Sequence, residues 1–158
     1  ADALDGRAWE VRVRAYDHEL QEIARKHFTG EGGIGKVREL GRFALSAEQT
    51  VSTPILTVVE VYVDGSKADR TYYWTNYEAE AGSLMKLPAA VVNMATGAGR
   101  VTLTNSGDVP ALGVHVSRPG HAHTFMAGDN YIWLDPGESA AITVNSTDGL
   151  ALDGWNLR

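Results

Sequence analysis

Carboxylates are the side chains in this sequence with the clearest potential for chemistry, because two of them placed across a sugar linkage can hydrolyse it. Glu60 lies on the strand face opposite Val59 and Val61, which predicts a solvated or hydrogen-bonded sheet face. Asp135 opens a Pro-Gly turn, where its carboxylate is expected to cap backbone N–H groups. We expect structural roles, and no catalytic residue, among the six candidates: Glu60, Glu78, Glu80, Asp129, Asp135 and Glu138.

His121 and His123 form the one pattern with the character of a metal site. In a strand both imidazoles would point to the same side, and Asp129 could supply a third ligand. A two-residue histidine spacing is common, however, and exposed loop histidines are the simpler interpretation. We expect no bound metal and no cofactor, with this histidine pair as the weak alternative.

Nucleophilic and nucleotide-binding motifs are missing from the sequence. There is no cysteine, and no Gly-x-Ser-x-Gly sequence that would activate a serine. Residues 97–100, Gly-Ala-Gly-Arg, lack the strand-to-helix setting of a phosphate-binding loop and predict a turn. A barrel-type hydrolase needs about 250 residues. We therefore expect that this chain alone is not catalytic.

Aromatic side chains are the remaining candidates for a binding surface. Tyr131 and Trp133 are two residues apart, so an extended chain places both rings on one face. Ile132 and Leu134 then face inward. Aromatic rings stack on the C–H faces of sugars, although the core of a β-sandwich also needs large aromatics. Four residues are candidates for contact with carbohydrate or with another domain: Trp74, Tyr77, Tyr131 and Trp133.

Composition narrows the class of protein. The 158 residues include 14 basic and 20 acidic side chains, for a formal net charge of −6, and the basic residues are scattered. That distribution argues against a nucleic-acid partner, and no apolar run reaches the roughly eighteen residues of a membrane span. The opening Ala-Asp-Ala-Leu-Asp-Gly resembles an entry point within a longer chain, so we expect a piece of a larger multidomain protein.

Hydrophobic residues recur mainly with a period of two, which predicts half-buried strands. Turn residues such as Asp64-Gly65 separate the runs. Short strands without alternating helices predict an all-β, immunoglobulin-like β-sandwich of two antiparallel sheets, occupying residues 1–158 as a single domain. The alternating sets are Trp9, Val11, Val13 and Ala15; Ile55, Val59, Val61 and Val63; Val101 and Leu103; Leu112, Val114 and Val116; Ala140, Ile142 and Val144; and Leu150 and Leu152.

Three segments fit this pattern less well. Residues 17–29 allow either a helix or the second arm of a hairpin that turns at residues 17–19, and the extended run before them favours the hairpin. Residues 30–35, Gly-Glu-Gly-Gly-Ile-Gly, predict a flexible loop. Residues 77–88 predict an irregular crossing between sheets.

Five segments, taken in order, resemble the C-terminal Ig-like domain of glycoside hydrolase family 2 enzymes of the exo-β-D-glucosaminidase and β-mannosidase branch. They cover roughly residues 54–156, and the likeness is weaker over residues 7–29. Residues 35–52 form a longer loop than the family leads us to expect. The segments are YYWTN, SLMKLPAAVV, VTLTNSGDVPALGVHVS, DNYIWLDPGESAAITV and DGWN.

The resemblance implies a non-catalytic accessory domain that packs on the catalytic barrel of a multidomain exo-glycosidase, a secreted or periplasmic hydrolase of carbohydrate metabolism. The partners it implies are that barrel and the other domains of the parent enzyme, with oligosaccharide as a further candidate. An independent carbohydrate-binding module and a structural cell-surface repeat remain alternatives. The resemblance also implies a structural turn that contains Asp129, Asn130, Pro136, Gly137 and Glu138.

Overall fold

The structure is a computed structural model that describes residues 6–32, 37, 39–46, 54–76 and 83–158. Ten β-strands and one short 3-10 turn, Ser83–Lys86, make up its regular structure. Within these ranges, no helix has the length and apolar character needed to cross a bilayer. The chain divides into two compact units, Ala1–Lys86 and Leu87–Arg158. The single domain over residues 1–158 stays a prediction.

The first unit contains a four-stranded antiparallel sheet in the order β2-β1-β3-β4. The hairpin predicted for residues 17–29 is confirmed, and its turn closes with the Leu20 N–H donating to the Asp17 carbonyl at 3.1 Å. Gly30 belongs to β2 rather than to the predicted loop. A glycine is needed at this strand position because the Trp9 indole lies where a Cβ atom would stand. Residues 33–35 of that loop lie outside the described residues. The strands are β1 (Ala8–Tyr16), β2 (Glu22–Glu31), β3 (Ile55–Val63) and β4 (Ser66–Thr75).

Strand β3 departs from its predicted alternation because it buries a charged side chain. Val58 is fully buried and Glu60 is 3% exposed, while Val59 and Val61 on the other face are only half-buried. The predicted inward face is therefore wrong at those two valines. Alternation of apolar and polar residues places a glutamate on the exposed face of a strand. It gives no information on charged partners from other strands that would allow the glutamate to be buried.

Two arginines from the neighbouring strands make the burial of Glu60 possible. Arg14 Nη2 lies 3.0 Å from Glu60 Oε2, and Arg70 Nε lies 2.8 Å from Oε1. Tyr62 adds its hydroxyl to Oε1 at 3.4 Å. Side chains from β1 and β4 thus meet on one carboxylate of β3, which ties three strands of the sheet together.

The second unit contains two three-stranded antiparallel sheets, β5-β6-β9 and β10-β7-β8. One core cluster takes Val101, Leu103 and Ile142 from the first sheet and Val114, Val116 and Leu134 from the second. The predicted all-β, Ig-like class with antiparallel sheets is confirmed. The strands are β5 (Val92–Gly97), β6 (Arg100–Asn105), β7 (Ala111–Ser117), β8 (Ile132–Leu134), β9 (Ser139–Thr143) and β10 (Ala151–Asp153).

Two buried asparagines join the loops of the second unit. Asn105 donates from Nδ2 to the carbonyls of Val109 and Leu134 at 2.9 and 3.0 Å. Asn156 accepts the Leu112 N–H at 2.9 Å and donates to the carbonyls of Pro88 and Pro110. Buried backbone groups need partners, and here side-chain amides supply them.

We expect the substitution Glu60→Ala to destabilise the fold by about 3–5 kcal/mol, because it leaves Arg14 and Arg70 beside an empty, largely buried position. Urea unfolding of the purified chain measures the loss. Glu22→Ala is the matched control, since Glu22 pairs with the exposed Arg25 and such a pair contributes about 0–1 kcal/mol. Equal losses in the two variants would contradict the structural importance of Glu60.

Glu10 gives the first unit a pH-dependent contact. Arg12 donates to both of its carboxylate oxygens, at 2.7 and 2.9 Å, and this hydrogen bonding lowers the pKa of Glu10 below its ordinary value of 4.5. A lowered pKa in the folded state means that the stabilisation is present above pH 4.5 and is lost as the pH falls through the folded pKa. We expect Glu10→Gln to remove part of the acid destabilisation seen in thermal unfolding between pH 7 and pH 3. If thermal unfolding of Glu10→Gln depends on pH as strongly as that of the unaltered chain, Glu10 does not contribute to the acid destabilisation.

Candidate functional site

The four predicted aromatic candidates lie in different environments. Trp133 is only 3% exposed, and its Nε1 donates to Asp135 Oδ1 at 2.9 Å. Trp74 is half-buried in β4, and Tyr77 lies outside the described residues. Tyr131 is 60% exposed. Of the three described candidates, Tyr131 alone presents most of its side chain to solvent.

The predicted shared face of Tyr131 and Trp133 is wrong. Tyr131 has a left-handed backbone with φ of 59°, and β8 begins only at Ile132. The chain therefore changes direction between the two rings, so that one is exposed and the other is buried. Ile132 and Leu134 do pack on the core cluster, as the alternation predicts.

Tyr131 stacks on a histidine of the neighbouring strand. The ring centroids of Tyr131 and His115 lie 4.6 Å apart, with an angle of 27° between their planes. The Nδ1 atom of His115 lies 3.1 Å from the Gly113 carbonyl oxygen, which fixes the orientation of the imidazole. His115 alternates with the core residues Val114 and Val116, so it lies on the outer face of β7.

Trp155 extends this outer face, and sequence reasoning missed it. Its side chain is 52% exposed, and a Cβ atom on Gly113 would stand 2.8 Å from its Nε1. The Trp155 N–H donates to the Leu112 carbonyl at 2.8 Å. Gly113 was the available signal, because a glycine inside a strand often marks a bulge or a close approach.

A β-bulge shapes the strand beneath Trp155. The pairing of β7 with β8 shifts register between Ala111 and Val114, and Gly113 has a φ of 58°. A left-handed glycine is typical of one class of bulge, and it removes the side chain that would displace the indole. The bulge also interrupts the predicted alternation, since Ala111 joins Val114 in the core cluster and Leu112 lies outside it.

We call this outer surface the β7 aromatic strip and define it by Tyr131, His115, Trp155 and Asp153. Asp153 of β10 lies directly opposite His115, so the two side chains share a face. Asp153 is exposed, and its Oδ1 accepts the Gly154 N–H at 2.7 Å. The strip thus combines two half-exposed rings with a carboxylate and an imidazole.

The predicted structural turn has defined hydrogen bonds. The amide of Asn130 accepts the Val116 N–H at 2.9 Å and donates to the Val116 carbonyl at 3.1 Å. Asp129 Oδ1 accepts the next N–H along the chain. Between Pro136 and Glu138, Gly137 has a φ of 77°, and the Glu138 N–H donates to the Asp135 carbonyl at 2.9 Å, as a type II turn requires.

Both acidic residues at this turn make side-chain hydrogen bonds. Glu138 Oε2 accepts the Asp135 N–H at 2.9 Å, and Asp135 accepts from the indole of Trp133. Glu138 therefore caps the backbone at this turn, and capping by the Asp135 carboxylate stays a prediction. Glu78 and Glu80 lie outside the described residues.

His121 and His123 lie in an exposed turn rather than in a strand, and the Phe125 N–H donates to the His121 carbonyl at 2.9 Å. Across the described ranges, no group of three or more potential ligands converges, so Asp129 does not join these histidines at a metal site. Residues 97–100 form the predicted turn between β5 and β6.

Residues 85–157 match the family model Ig_mannosidase, which describes an Ig-fold domain. No curated protein sequence matches the chain. The exo-chitosanase CsxA of Amycolatopsis orientalis is similar in structure, with a TM-score of 0.70 and 20% identity over 96% of this chain and 23% of that one. A β-D-mannosidase of Dictyoglomus thermophilum is also similar, with a TM-score of 0.54 and 17% identity over 98% of this chain and 19% of that one.

These matches confirm the predicted resemblance to the Ig-like domains of glycoside hydrolase family 2 enzymes of the exo-β-D-glucosaminidase and β-mannosidase branch. This chain spans less than a quarter of the length of the solved structures that it resembles. At 17–20% sequence identity, the similarity to these solved structures shows a shared fold and nothing more.

We expect Gly113→Ala to destabilise the second unit by about 2–4 kcal/mol, because a left-handed alanine costs about 1–2 kcal/mol and the new methyl group clashes with Trp155. Gly137→Ala is the matched control. It also has a positive φ but meets no atom within 4 Å, so only the backbone cost of about 1–2 kcal/mol should remain. Urea unfolding measures both losses, and a Gly113 loss no larger than the control would disprove the close approach.

Proposed function

We propose, from the match of residues 85–157 to the family model of an Ig-fold domain, that this chain is an accessory part of a multidomain exo-β-glycosidase of glycoside hydrolase family 2. The parent enzyme would act on β-linked sugars of the glucosamine or mannose type. Its catalytic barrel would lie in a part of the polypeptide other than these 158 residues.

The observation that carries this proposal is the coverage of the structural matches. Nearly the whole chain aligns with less than a quarter of an exo-chitosanase and of a β-mannosidase. A segment that corresponds to a minor share of a large glycosidase is expected to assist a catalytic domain. The most direct assistance is burial of surface on the barrel, which stabilises it and shapes the rim of its pocket.

The four candidate carboxylates that the structure describes support a non-catalytic role, because each of them takes part in a structural contact. Glu60 is buried between two arginines. Asp135 and Glu138 bond within the Pro-Gly turn, and Asp129 bonds the next backbone N–H. A glycosidase needs one carboxylate to transfer a proton and a second to attack or to activate water. Carboxylates bound in these contacts are poorly suited to either task.

The location of the parent enzyme is part of the proposal. An exo-glycosidase that degrades polymeric carbohydrate would meet its substrate outside the cytoplasm, so we propose a secreted or periplasmic enzyme of carbohydrate metabolism. The chain has no cysteine, so it does not depend on disulfide formation in that compartment.

An independent carbohydrate-binding module is the second candidate. One observation favours it: the β7 aromatic strip exposes two rings on one sheet face, 60% and 52% accessible. The two functions are compatible, since an accessory domain can also hold substrate near a barrel.

We expect the 158-residue chain to show no hydrolysis of p-nitrophenyl β-D-glucosaminide or p-nitrophenyl β-D-mannoside, because the four described candidate carboxylates are held in structural contacts. Release of p-nitrophenol is the measurement, and the complete parent polypeptide is the positive control. Turnover by the chain alone, abolished by substitution of one of its own glutamates, would overturn the accessory role.

A further inference from the structure

We propose that the β7 aromatic strip is a binding site for an oligosaccharide of β-linked amino sugars, whose pyranose rings stack on Tyr131 and Trp155 and whose ammonium groups face Asp153. This inference deepens the second candidate function given above, and it does not require catalysis by the chain.

Stacking is the first requirement, and the strip provides two platforms for it. Tyr131 and Trp155 each expose more than half of their side-chain area. Both are anchored from below, Tyr131 by His115 and Trp155 by the backbone at Gly113. A half-exposed ring that is held by protein on one side can present apolar area to the C–H surface of a sugar, and it loses little conformational freedom on binding.

The backbone under both rings is unusual, which is the second argument. Tyr131 is a non-glycine residue with a φ of 59°, and Gly113 forms a left-handed bulge. A left-handed tyrosine is a strained conformation of the kind found preferentially at functional sites, whereas the left-handed glycine leaves room for the indole. Here both conformations serve to place an aromatic ring on the same outer face. A purely structural role would instead bury the rings, as it does for Trp133.

Charge selects the chemical class of the sugar. Asp153 lies opposite His115 in the register, on the β10 side of the strip. The second unit contains three basic and six acidic residues, so its field favours a cation over an anion. An ammonium-bearing glycan satisfies the stacking surface and the carboxylate together, whereas a polyuronate would bring like charges together. The acidic residues are Asp108, Asp129, Asp135, Glu138, Asp148 and Asp153, and the basic ones are Arg100, Arg118 and Arg158.

Isothermal titration calorimetry of the full 158-residue chain with glucosamine tetramers, cellotetraose and tetragalacturonate tests the site. We expect the glucosamine tetramer to bind most tightly. Tyr131→Ala and Trp155→Ala should each weaken its binding by at least about fivefold, since an aromatic contact contributes about 1 kcal/mol beyond buried area. Asp153→Asn should reduce the preference for the glucosamine tetramer over cellotetraose.

Two controls separate loss of the site from loss of the fold. Tyr73→Ala removes a tyrosine that is 57% exposed in the first unit, and it should leave affinity unchanged. Trp155→Tyr keeps an aromatic platform and should retain most of the binding, with thermal unfolding confirming that each variant is folded. Folded Tyr131→Ala and Trp155→Ala chains that bind normally would overturn the site.

The remaining outcomes are also decisive. Absence of binding by any of the three oligosaccharides at millimolar concentration would overturn the proposal and would favour a protein surface as the occupant of the strip. A preference for tetragalacturonate would overturn the charge argument and with it the assignment to amino sugars. Neither result affects the accessory role, which is tested separately by the hydrolysis assay.

Discussion

The second unit depends on side-chain amides that replace missing backbone partners. Its strands are short, from three to seven residues, so much of its backbone lies at strand ends and in loops. Asn130 pairs with both the N–H and the carbonyl of Val116, as a neighbouring strand residue would. Asn145 bonds the Met126 N–H and the Thr124 carbonyl in the same way. With Asn105 and Asn156, these amides satisfy backbone groups that a short-stranded sandwich would otherwise leave without partners.

The same amides hold the bulge on which the aromatic strip rests. The N–H of Leu112 donates to the Asn156 side chain, and the Leu112 carbonyl accepts the N–H of Trp155. Both polar groups of one residue are therefore bound by two consecutive residues of the C-terminal segment. This arrangement fixes the bulge and positions the indole over Gly113 at the same time. The exposed ring is thus supported by a rigid frame, which is what a preorganised binding surface requires.

Strands, the first hairpin and the Pro-Gly turn were predictable because each depends on local signals: alternation, turn residues and a glycine with positive φ. Burial of Glu60 was not, since its partners Arg14 and Arg70 come from other strands. The left-handed Tyr131 was equally hidden, because tyrosine carries no local preference for that conformation. In the candidate site, the sequence pointed to Tyr131 but not to Trp155. Trp155 belongs to no strand, and the glycine that it packs against, Gly113, is distant in sequence.

The two units bury polar groups by different chemistry, and the difference bears on function. The first unit uses ions, with Glu60 between two arginines and Glu10 bound to Arg12. Beneath the strip, the second unit uses the neutral amides of Asn130 and Asn156, whose hydrogen bonds do not change with protonation between acidic and neutral pH. The frame beneath the strip should therefore keep its geometry across that range.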